Sequence, residues 1–173
     1  GALTQEAIDI AVILNALRAL TPGHRFGRQT MPAATATALR QDHERIESGL
    51  DRLRQIADAL DDAEGVAAVT LISEANTIIA KQIVKHELDD EATVYPNLAK
   101  FLADSHGLGA MSRAHREIVH LARLLGQLEA GLSPEDADRY LIRDAQRVIE
   151  SIEALVRIHN AQEEDIYEHA ITG

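Results

Sequence analysis

The chain has 173 residues, enough for one well-buried domain and short for two. Its formal net charge of -11, from 28 acidic and 17 basic residues, excludes a broad basic face for nucleic acid or anionic lipid and suits a cation. Cysteine is absent, which excludes disulfides, thiolate ligands and cysteine nucleophiles and leaves nitrogen and oxygen as the donors for any metal.

With aromatics at 3% and Ala, Leu, Ile, Glu, Asp and Arg dominant, the composition predicts an all-α fold packed through aliphatic side chains. The first helical pattern is TQEAIDIAVILNALRAL, residues 4–20, with Thr4 as N-cap and Glu6 in the first turn. Its apolar surface is wider than one stripe, which predicts burial against a partner or another domain. Asp9, Asn15 and Arg18 interrupt Ala7 to Leu20, so no apolar run reaches the roughly 18 residues of a membrane span. A basic start and small-residue cleavage site of a signal peptide are also missing, and the expectation is a soluble, cytoplasmic chain. TPGHRFGRQTMP reads as a linker. The division is therefore an N-terminal helix and linker, residues 1–31, and a helical domain, residues 32–173.

Pro32 suits the first turn of the next helix, where its missing N–H is not needed. From it an apolar seam runs through Leu39, His43, Ile46, Leu50, Leu53, Ala57 and Leu60 in steps of four and three, and a turn follows at Asp61 to Gly65. The next seam is Val69, Ile72, Asn76, Ile79, Ile83, His86 and Asp90, and Pro96 is expected to kink or end that helix. Met111, His115, Ile118, Ala122 and Leu125 form another seam, closed by Gly131. Ser133 and Pro134 mark a fresh helix start. The last helix, about 35 residues if continuous, carries Ala145, Val148, Ile152, Leu155, His159, Glu163 and Ile166 on one side. Short connections favour antiparallel neighbours, and the prediction is an up-down-up-down four-helix bundle preceded by an extra helix.

Each of the four seams carries one histidine, and two of them place a carboxylate one turn later: His86 with Asp90, and His159 with Glu163. Burying these polar groups without partners costs several kcal/mol, and the seams hold few Ser, Thr or Tyr residues to satisfy them. A metal offsets that cost by taking the lone pairs. Imidazole and carboxylate together suit iron, manganese or zinc, and facing carboxylates can bridge two ions. Two irons held by His43, His86, Asp90, His115, His159 and Glu163, with Asp90 and Glu163 bridging, is the simplest count. Open coordination positions would then serve dioxygen, peroxide or nitric oxide. Glu47, one turn after His43, is the strongest additional candidate, and Glu87, beside His86, follows; either could fix an imidazole tautomer, as could Glu91 and Glu164. His24, His106, His120 and His169 are expected to face solvent. Tyr95 and Tyr167 lie near the liganding turns.

DHERIE, KHELDDEATVYPNL, AHREI and HNAQEEDIYEH, across about residues 36–170, resemble the hemerythrin-like, or HHE cation-binding, family. The order of histidines and carboxylates is also that of the family's four-helix bundle. The resemblance implies two iron ions, oxo- or hydroxo-bridged, binding a small diatomic or peroxide. Oxygen-carrying members have a second histidine one turn after the one on the third bundle helix, where this chain has Val119. That points to the branch of iron-centre repair proteins and iron or oxygen sensors. In that branch glutamate usually stands where this chain has Asp90, one methylene shorter, which makes Glu87 or Glu91 an alternative bridge. GALTQEAIDIAVILNALRAL resembles the end of the membrane domain of heavy-metal P-type ATPases. On that resemblance the chain would be a pump's regulatory cytosolic tail, tethered to the inner face of the membrane and sharing a polypeptide with the transporter. The alternative is a stand-alone di-iron protein that turns over peroxide or nitric oxide, or delivers iron for repair.

Overall fold

The computed structural model describes residues 30–102 and 106–172. The predicted helix at residues 4–20, its linker and its pump resemblance lie outside them. The described chain forms four long helical runs. Helix α1 is Ala33–Ala59. Helix α2 is a run of α-helical segments Gly65–Ile78, Val84–Asp89 and Tyr95–Leu98, joined by two π-helical turns at Ile79–Ile83 and Asp90–Val94. Helix α3 is His106–Ala130 and helix α4 is Arg139–Thr172.

Cross-helix pairs fix the topology. Arg40 meets Glu168, His43 meets Glu163, and Gln146 donates to the Ala57 carbonyl, so α1 and α4 run antiparallel. Asn76 meets Glu129 while Glu91 meets Ser112 and His115, so α2 and α3 are antiparallel as well. Adjacent helices thus alternate in direction around a four-helix bundle. Among the described residues no helix is long and apolar enough to cross a membrane.

Local chemistry sets the boundaries. Pro32 stands just outside α1 and accepts from the amides of Thr35 and Ala36 through its carbonyl. Gly65 opens α2 at a φ of +50°, a conformation that a side chain resists. Helix α4 starts later than Ser133 and Pro134 suggested. Ser133 closes only a single turn on Asp136, and Asp138 caps the long helix by accepting from the amides of Tyr140 and Leu141 at 2.8 and 2.9 Å. Pro96 does not stop α2 at once. The helix runs on to Leu98, and the wide π-turn just before Pro96 makes room for a ring that would strike the carbonyl of a regular turn.

The π-turns also reset which residues face inward. The buried positions of α2 are 68, 72, 75, 79, 83, 87, 90, 95 and 98. Two steps exceed the regular spacing by one residue: 79 to 83, where three was due, and 90 to 95. Each coincides with a π-turn. Gly49 of α1 lies against the first of these turns, where an added Cβ would come within 2.5 Å of the Gln82 side chain.

The interior is layered. A large apolar cluster, with Leu50, Leu53, Ile72, Ile118, Ile149 and Ile152 fully buried, fills one part of the bundle. A smaller one of Met31, Ala36, Tyr95, Leu98, Leu108, Met111, Ile166 and Tyr167 fills another. Along every helix the polar layer falls between the two. On α1 it is His43, and on α2 Glu87 and Asp90. Helix α3 supplies His115, and α4 supplies His159 and Glu163.

Candidate metal centre

Two donor groups share this layer. His43, His86, Asp90 and Glu163 each place one ligand atom within 4.8 Å of the others, and Glu87, His115 and His159 do the same. Glu163 faces both groups. Its Oε2 lies 3.1 Å from Nε2 of His43, while Oε1 lies 3.3 Å from Nε2 of His159 and 3.8 Å from Nε2 of His115. Glu87 Oε2 lies 2.9 Å from Nε2 of His115 and 3.4 Å from that of His159. Asp90 Oδ2 lies 3.4 Å from Nε2 of His86, in the first group only.

Outer carboxylates orient two of the rings. Nδ1 of His115 donates to Glu91 Oε2 at 3.1 Å, and Nδ1 of His43 stands 3.5 Å from Glu164 Oε1. Both contacts turn Nε2 and its lone pair toward the centre. Tyr95 donates its hydroxyl to Glu163 Oε1 and lies flat on His115 with ring centroids 4.9 Å apart. Tyr167 stacks on His43.

The electrostatics are those of charge held away from water. Burial, with the Glu163 carboxylate next in importance, pushes the Asp90 carboxyl up to about 7. Burial pushes the His86 imidazole down. At His43 and His115 burial also opposes charge, but the neighbouring carboxylates, Glu163 at His43 and Glu87 at His115, outweigh it and raise both. Glu163 is held well below the usual carboxylate range, because hydrogen bonds from His159, His43 and Tyr95 outweigh its desolvation.

Four ligand atoms have no partner. Nε2 of His86, both carboxylate oxygens of Glu87 and Oδ2 of Asp90 are buried without a hydrogen bond. Leaving such groups unsatisfied costs about 1–3 kcal/mol each, and more when charged. A cation in each donor group would take up these lone pairs, so the residues present fit a metal.

The structure brings together His43, His86, Asp90, His115, His159 and Glu163, and it adds Glu87. Glu47 is not at this site. It points to the outer surface, half exposed, and pairs with Arg157, because one turn after His43 the helix has rotated it off the seam. Glu87, which the sequence offers behind Glu47 as an orienting residue and as an alternative bridge to Asp90, is fully buried among the donors. No periodic signal marked it, since the π-turn that rotates it inward is invisible to a 3.6-residue repeat. His120 and His169 are exposed, whereas His24 and the side chain of His106 lie outside the described residues.

A four-helix bundle with a buried layer of imidazoles and carboxylates defines a metal-binding helical protein. More particularly, residues 34–171 match the family described as hemerythrin HHE cation binding domain, and the chain belongs to that family of cation-binding domains. No curated protein and no solved structure matches the chain.

Proposed function

We propose that this chain is a dinuclear iron domain that binds or senses a small oxidant or diatomic molecule. One observation carries the reading: Glu163 presents one oxygen to each of two donor groups. His43, His86 and Asp90 would hold one ion, Glu87, His115 and His159 the other, and Glu163 would join them. Three carboxylates offset part of the charge of two cations, and four neutral imidazoles complete a set that suits iron. When bound, the irons supply reversible redox chemistry and coordination positions open to dioxygen, peroxide or nitric oxide.

The chain's own residues contribute selection. The apolar clusters on either side of the donors exclude bulk water and favour small, weakly polar ligands. A cavity of ≈ 150 Å³, lined by Met31, Leu39, Val94, Leu98 and Phe101 among others, opens one helical turn from His43 and Asp90. That supports entry of a small apolar molecule. The resemblance of residues 1–20 to the end of a metal pump's membrane domain supports a regulatory tail held at the cytoplasmic face of a membrane.

Reconstitution with iron tests the proposal. About two irons per chain are expected, together with a higher melting temperature and a spectrum altered by nitric oxide or peroxide. A protein that takes up no iron and melts at the same temperature with and without it would overturn it.

A further inference from the structure

Tyr95 stands among the second donor group as the atoms of that group stand among themselves. Its Oη is 3.0 Å from Nε2 of His115 and 3.5 Å from Nε2 of His159, and it contacts Glu163 Oε1. The three atoms it touches are among those that converge on the proposed second ion. The residue is 5% exposed, and its hydroxyl lies within the polar layer. Tyr167 is different: it is fully buried too, but its hydroxyl has no hydrogen-bond partner, and its ring packs on His43 of the first group.

The backbone supplies an independent reason. Regular helical spacing after Asp90 would turn Val94 inward, and the π-turn Asp90–Val94 turns Tyr95 inward instead. A single π-turn inside an α-helix gives up hydrogen-bond geometry, and such turns concentrate at functional sites. Here the extra residue places a phenol oxygen beside His115, the buried imidazole that α3 contributes to the layer.

We propose that Tyr95 is a phenolate ligand to the ion held by Glu87, His115 and His159. The inference rests on the dinuclear reading. Ligation replaces the O–H bond by an oxygen–metal bond, and the displaced proton leaves to solvent. The metal's oxidation state does not change in that step. A phenolate on one ion and not the other favours the ferric state there and makes the two positions unequal.

The test is to load the full chain with ferric iron, count the metal and record visible absorption and resonance Raman spectra. The expected result is about two irons per chain, a phenolate-to-iron charge-transfer band, and ring vibrations of tyrosinate enhanced within it. Y95F is expected to lose the band and the enhancement, and Y167F to keep both. Raman spectra of the unsubstituted protein decide the matter even if Y95F fails to fold. Iron bound without the tyrosinate vibrations would overturn the assignment of Tyr95 while leaving the dinuclear reading intact. No iron bound would overturn both. A band that survives in Y95F and vanishes in Y167F would overturn the choice of tyrosine.

Discussion

The carboxylate of Glu87 lies 2.9 Å from Nε2 of His115, on a stretch of α2 whose even periodicity assigns the inward position to its neighbour His86. Both side chains reach the polar layer, one toward each donor group, and Asp90 joins His86. Three inward functions, at His86, Glu87 and Asp90, come from one short segment that a π-turn precedes.

Glu87→Ala is therefore expected to empty one position and spare the other. Iron content should fall from about two per chain to about one, as counted by elemental analysis after gel filtration. Asp90→Ala should act likewise on the opposite position, whereas Glu163→Ala, which removes the shared carboxylate, should weaken both.

Glu47→Ala should do almost nothing to metal uptake. Its partner Arg157 is also engaged by Asp51 and Glu153, and exposed ion pairs contribute about 0–1 kcal/mol. Iron titration curves superimposing on those of the unsubstituted protein would confirm the placement, and a lost ion would contradict it.

Glu91→Ala and Glu164→Ala leave every proposed ligand in place but free the rings of His115 and His43 to turn. Iron affinity should drop about 10–100-fold, the range typical of residues that orient a ligating imidazole. The check is competition with a chelator of known affinity.

Asp90 sets a pH dependence of the metal-free protein. Its folded carboxyl titrates at about 7, above the usual 3.8, so the folded state holds the proton that the unfolded state has already released. That contribution to stability is complete below pH 3.8 and is lost as pH rises toward 7. Asp90→Asn cannot release a proton. The melting-temperature difference between the unsubstituted protein and this variant should move against the unsubstituted protein over that interval. A constant difference would show that Asp90 is not desolvated. Metal binding reverses the trend, because ligation requires the ionised carboxylate.

Leu53→Ala, in the apolar layer away from the donors, should cost about 2–5 kcal/mol in denaturant unfolding yet leave iron content unchanged. Its side chain is fully buried, and it touches the site only through the packing of the bundle.

The sequence by itself determined the four-helix architecture and most of the histidines and carboxylates that the structure brings together in one layer. His43, His115, His159 and Glu163 lie on seams of regular period, and an aliphatic stripe broken by histidine at one level in each helix needs no coordinates to be recognised. Tertiary structure decided the rest, because the deciding features are not periodic. The two π-turns of α2 shift its inward face by one residue each, which brings in Glu87 and Tyr95. Glu47 and Glu91 both follow a seam residue closely, and only the packing of neighbouring helices sends one to Arg157 and the other to His115. Likewise, the sequence placed carboxylates on two helices as possible bridges, but only the assembled bundle shows Glu163 between the two groups and Asp90 within one. A carboxylate's reach across a bundle depends on where three other helices stand, and the spacing along its own helix does not contain that information.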